Sequence, residues 1–176
     1  MVIILDAVGL RDFITNHSNN NLFVEAVQSI NGYILANHQT INDISNDIQH
    51  LRFFKYYNEA VSSIDFSNYR FDNLKVITVA DGSLKHIREF VIDGLIGLKT
   101  VNIGKMCFRI SNRKRDDGIF RIINCPNLCH LEIGTQCFVD FKSFELSNLN
   151  SIQSITFGNE CFLYVKEFII KGRIID

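Results

Sequence analysis

The chain has 176 residues, 47% of them apolar and 11% aromatic, with 18 basic against 19 acidic side chains. That length and apolar content fit one domain with a buried core and exclude a disordered tail. A net charge of -1 excludes a globally basic nucleic-acid binder, no apolar run is long enough to span a membrane, and the opening Met1-Val2-Ile3-Ile4-Leu5-Asp6 lacks the basic and apolar regions of a secretory leader.

Residues 1–61 do not repeat. The tract His17-Ser18-Asn19-Asn20-Asn21 reads as a loop. Leu22, Phe23, Ala26, Val27 and Ile30 suggest a short helix. Thr40 is a candidate N-cap, with Asp43 three residues on. Ile41, Ile44, Ile48, Leu51 and Phe54 follow at helical spacing and predict a second helix. A solenoid needs a cap to shield its first coil, so 1–61 is read as a small helical N-terminal cap, with degenerate repeats as the alternative.

From residue 62 to 176 the chain repeats. Phenylalanines open successive units at Phe66, Phe90, Phe120, Phe144 and Phe168, spaced 24, 30, 24 and 24 residues apart. The Phe90 unit carries six extra residues, and the Phe168 unit is cut off at Asp176. Counting the phenylalanine as unit position 1, position 9 is Leu74, Leu98, Leu128 and Ile152. Position 12 is Ile77, Val101, Leu131 and Ile155; position 14 is Val79, Ile103, Ile133 and Phe157. Position 19 is Leu84, Phe108, Phe138 and Phe162. Position 15 is Gly104, Gly134 and Gly158, with Ala80 in the first copy; such a glycine implies positive φ or close backbone approach.

Apolar-polar-apolar alternation around positions 1–3 and 12–14 marks two short half-buried strands per unit. A unit of this size cannot bury its own apolar face. Stacked units can, with neighbours paired as parallel strands about 4.8 Å apart. The expected fold is a right-handed, β-rich α/β solenoid of roughly four coils.

The stretch Ile-x-x-Ile-x-Phe-Gly-x-x-Cys-Phe, from Ile152 to Phe162, resembles leucine-rich repeats. It is most similar to the irregular BspA-like repeats of protists and some bacteria. The resemblance covers about two thirds of the chain, 62–176. It implies a leucine-rich-repeat-like solenoid serving as a protein-interaction or adhesion scaffold, and it carries no catalytic residue. Where the common repeat has its asparagine ladder, this chain has Gly82, Met106, Gln136 and Glu160, so neither that ladder nor a regular horseshoe curvature is expected there.

Cys107, Cys137 and Cys161 share unit position 18 and read as a ladder beside the core phenylalanine. Five cysteines, an odd number, argue for reduced thiols and hence a cytoplasmic protein, with the cell surface as the alternative. Cys125, Cys129, His130 and Cys137 do not follow a strong zinc spacing, and Cys125 aligns with core positions while Cys129 aligns with Lys75 and Lys99. Cys129 and His130 are neighbours on a strand and point to opposite sides, so they do not make a nucleophile–base pair. No phosphate-binding glycine loop occurs. The expectation is a non-catalytic protein with no cofactor and no metal. An adhesin is the first alternative, for which Asn16-His17-Ser18 is a glycosylation sequon; an enzyme with an unrecognised site is the second.

The candidate partner-binding face lies at positions 11 and 13, which point away from the core: Val76 and Thr78, Thr100 and Asn102, His130 and Glu132, Ser154 and Thr156, with Lys75 and Lys99 on the rim. An ordinary solvated sheet face is the simpler account of this strip. The insert at 111–118 carries Arg113, Lys114 and Arg115, a second candidate contact for an acidic partner or a phosphate; Asp116 and Asp117 largely cancel its field, so nucleic acid is not expected. The incomplete last unit has three readings: a fragment of a longer array, a tail folded back as a cap, or self-association through the C-terminal edge. A fragment or short family member is favoured over an obligate dimer.

Overall fold

In the computed structural model, which describes residues 32–35, 44, 46–53, 62–109 and 117–172, parallel strands wind into a solenoid of about four turns. In chain order the strands are β1 (Gly32–Leu35), β2 (His50–Phe53), β3 (Ser63–Asp65), β4 (Val76–Val79), β5 (Glu89–Asp93) and β6 (Thr100–Ile103). They continue as β7 (Gly118–Ile123), β8 (His130–Ile133), β9 (Phe141–Ser147), β10 (Ser154–Phe157) and β11 (Glu167–Lys171). One sheet runs β1-β2-β4-β6-β8-β10 and the other β3-β5-β7-β9-β11. β1 and β2 both belong to the first sheet; from β2 onward the described strands alternate between the two sheets, so each coil adds one strand to each. Every unit's apolar side chains then meet those of the next.

The register follows the repeat. Ile77, Val101, Leu131 and Ile155 are successive partners in the first sheet; Phe90, Phe120, Phe144 and Phe168 are successive partners in the second. The first repeat departs from the expected alignment. Ile64, not Phe66, pairs with Phe90. Phe66 lies two residues further on, and its amide donates to the Val91 carbonyl at 2.8 Å. Because side chains alternate with period two, a two-residue slip keeps the same face inward, and Phe66 stays buried edge-on to Phe90 at 5.9 Å.

No helix occurs among the described residues. Most of the expected N-terminal cap, including the Leu22–Ile30 pattern and the Thr40 cap, lies outside them. The end of the second expected helix is corrected: residues 50–53 form β2, paired in parallel with β1 and β4. Leu51 and Phe53 point inward in register with Ile77 and Val79, while His50 and Arg52 turn outward. Ile44, Ile48 and Leu51 fit either a helical face or a turn leading into a strand. The free edge of β4 offered backbone partners and an apolar ladder to join, and this tertiary context overrode the local pattern.

The core is a pair of aromatic columns. Phe90, Phe120, Phe144 and Phe168 stack at 5.6, 5.0 and 5.1 Å, and Phe108, Phe138 and Phe162 stack at 4.9 and 5.5 Å. The columns touch edge-on, with Phe120 4.5 Å from Phe138 and Phe144 4.7 Å from Phe162. Offset and edge-on ring pairs add about 0.5–1.5 kcal/mol beyond the burial of apolar area.

The turns repeat as strictly as the strands. Position 17 (Gly82, Met106, Gln136, Glu160) and position 19 (Leu84, Phe108, Phe138, Phe162) all have φ between +52° and +69°. A left-handed residue other than glycine costs about 1–2 kcal/mol. The cost recurs in every coil because this turn swings the position-19 side chain into the core. The position-15 glycines serve close approach instead. A Cβ on Gly134 would lie 2.7 Å from the Gly104 carbonyl carbon, and one on Gly158 would lie 2.5 Å from the Thr135 nitrogen.

Candidate interaction face

The outward strip is built by the inward one. Burying Ile77 and Val79, Val101 and Ile103, and Leu131 and Ile133 forces the alternate residues of β4, β6 and β8 out. One column runs His50, Val76, Thr100, His130, Ser154, and the next runs Arg52, Thr78, Asn102, Glu132, Thr156, each residue opposite its neighbour across the ladder. Thr78, Thr100 and Asn102 are half-buried; His130, Glu132, Ser154 and Thr156 are exposed. His130 Nδ1 and Ser154 Oγ lie 2.9 Å apart.

The rim column is Gln49, Lys75, Lys99, Cys129 and Gln153. Lys75 Nζ donates to Gln49 Oε1 at 3.2 Å, and Lys99 is exposed. Charge is therefore uneven along the strip. Arg52, Lys75 and Lys99 make the β2–β6 part basic, and Glu132 makes β8 acidic. His50 and Arg52 extend both columns by one strand beyond the residues that the repeat alone indicates; their sequence signal is the Leu51/Phe53 alternation, which matches Ile77/Val79 but overlaps a helical spacing.

Arg113, Lys114 and Arg115 lie outside the described residues. The described residues flanking them are Arg109, beyond β6, and Asp117, just before β7 of the other sheet. Asp117 forms an ion pair with Arg88.

The cysteines form a structural ladder. Cys107, Cys137 and Cys161 each donate a thiol proton to the position-15 carbonyl of the preceding coil: Ala80 O at 3.3 Å, Gly104 O at 3.1 Å and Gly134 O at 3.0 Å. The neighbouring Cys107 thiol, together with burial, pushes the Cys137 thiol well above its ordinary range. Burial pushes Cys161 up, and it raises Cys125 to about 11. These thiols are held neutral, which makes them poor nucleophiles and poor metal ligands. Cys125 is fully buried and Cys129 half-buried. Among the described residues, no group of three or more His, Cys, Asp or Glu side chains is placed to hold a metal ion.

An asparagine ladder is present, though on a different turn from the one the repeat consensus would suggest. Asn148 Nδ2 donates to Asn124 Oδ1, and Asn124 Nδ2 donates to Asp93 Oδ1, both at 2.8 Å. Asn124 and Asn148 adopt φ of +54° and +55°, and the equivalent Gly94 adopts +72°. Beside this ladder a shallow cleft of about 500 Å³ is lined by Ser67, Tyr69, Arg70, Asp72, Asp93 and Ile96. No helix among the described residues is long and apolar enough to cross a membrane. No protein-family model, no curated protein and no solved structure matches this chain.

Proposed function

We propose that this chain is a non-catalytic protein-interaction module of the leucine-rich-repeat-like, BspA-like kind, and that it binds an extended protein segment along the outward strip. The observation that carries the reading is the strip itself: two columns of side chains, all but Val76 able to hydrogen-bond, in register on five parallel strands. Strands about 4.8 Å apart make such a surface regular and nearly rigid, so an extended chain meets it with little ordering of the receptor. Arg52, Lys75 and Lys99 favour a partner that is acidic where it crosses β2 to β6, which would raise its association rate more than its affinity. The repeated Gly-x-x-Cys-Phe turn supports the family reading. Five free thiols, three of them buried, support assignment to a reducing compartment, the cytoplasm.

The test is a pull-down from the source lysate with the wild type and with a Thr100/Asn102/Glu132/Thr156 surface variant, both checked for folding by circular dichroism. A partner retained by the wild type and lost by the variant supports the strip. A partner lost instead on changing Arg113, Lys114 and Arg115 would move the site to the insert and refute this reading.

A further inference from the structure

The last described strands, β10 and β11, differ from those of every interior coil. Among the described strands each of the two has one partner, β8 and β9 respectively, and one open edge. The inward side chains there are uncovered: Phe157 is 37% exposed, Phe168 47% and Ile170 53%. Their equivalents one coil earlier, Ile133, Phe144 and Leu146, are at most 1% exposed. Open edges of this kind template pairing with another chain, and a contiguous apolar end marks an interface.

The sequence of β11 says which chain. It reads Glu167-Phe168-Ile169-Ile170-Lys171, with both terminal residues exposed. Laid antiparallel to its own copy and centred on Ile169, it sets Glu167 opposite Lys171 and Phe168 opposite Ile170, each pair occurring twice about a two-fold axis. Residues directly opposed in an antiparallel pair share a face, so the apolar pairs would join the core side and the charge pairs the outer side. An axis perpendicular to the sheets also brings β10 alongside its copy, because both open edges lie at the same end. Parallel addition onto β3 of another copy, with Phe168 beside Ile64, would set Ile169 against Asp65 and offer no cation for Glu167. It would also leave a growing, non-closing array.

We propose that the open edge at β10 and β11 is a homodimer interface in which β11 pairs antiparallel with β11 of a second copy, Glu167 facing Lys171 across a two-fold axis. Both sheets then run through the interface and the two phenylalanine columns meet.

The experiment is sedimentation velocity over a concentration series for the wild type, Glu167→Lys, Lys171→Glu and the double charge swap. Each single reversal places like charges opposite each other twice, and dimerisation should weaken by at least about tenfold. The double swap restores both pairs and should restore the dimer. These residues are exposed at the strand ends, so folding should survive, and circular dichroism checks it. Ile169→Cys adds a positional readout. On the axis the two Cα atoms would lie about 4.5–5.5 Å apart, within disulfide reach, so mild oxidation should give a covalent dimer that the wild type does not form. A wild type that stays monomeric throughout, a dimer indifferent to the single reversals, or open-ended assembly that depends on β3 would each overturn the proposal.

Discussion

Phe138→Ala tests the solenoid core most directly. The Phe138 ring stacks between Phe108 at 4.9 Å and Phe162 at 5.5 Å. It also meets Phe120, Phe141 and Phe144 edge-on at 4.5, 5.5 and 5.2 Å. It is fully buried, with coils on both sides. Deleting such a ring costs about 3–5 kcal/mol. The backbone cost at φ +57° remains in the variant, because alanine keeps its Cβ while losing the packing that offsets that strain. Against a total stability of about 5–15 kcal/mol, the loss should lower the melting temperature by roughly 10 °C. Phe162→Ala provides the internal control. Phe162 occupies the same column but lies in the last described coil, half-buried and stacked on Phe138 alone within that column. In a solenoid stability is close to a sum over neighbouring coils, so Phe162→Ala should cost about half as much. Urea melts followed by circular dichroism, at the lowest workable concentration, measure both. A nearly silent Phe138→Ala, or equal losses at the two positions, would refute the columnar core and the register drawn from it.

The two kinds of glycine should respond oppositely to asparagine. Gly94→Asn should be nearly neutral, since Asn124 and Asn148 hold the same turn position at φ near +55° and nothing lies within 4 Å of a Cβ there; Gly134→Asn should unfold or severely destabilise the chain, because its Cβ would strike the Gly104 backbone. Thermal melts distinguish the two. Cys125 makes stability pH-dependent. Its folded pKa lies near 11 against an ordinary 9.0, so its contribution is fully present below pH 9 and is lost as pH rises from about 9 towards 11. Two pKa steps correspond to about 2–3 kcal/mol, and Cys125→Val should flatten that part of the urea-midpoint profile; an unchanged slope would refute the assignment. Thiol labelling of the native protein should modify Cys129 and Cys161, which are half-buried, well before Cys107, Cys125 and Cys137, read by mass spectrometry after a time course.

The repeat period and the strand alternation were legible before any coordinates. A unit whose apolar residues recur at positions 1, 9, 12, 14 and 19 has no way to hide them except by stacking, so the parallel solenoid, its inward ladders and the outward strip followed from spacing alone. The cysteine ladder was legible for the same reason, since a residue type kept at one unit position must face the same environment in each coil. What remained for the tertiary structure were matters of pairing. Whether residues 50–53 turned as helix or ran as strand depended on the open edge of β4, a partner no local window contains. Whether Phe66 or Ile64 stood opposite Phe90 depended on hydrogen bonds across coils, because a two-residue slip leaves the apolar pattern unchanged. The position-15 glycines fitted either positive φ or close approach, and only the distance between neighbouring backbones chose the second. Periodicity fixes which side of a strand faces inward; the contact between coils fixes which residue stands beside which.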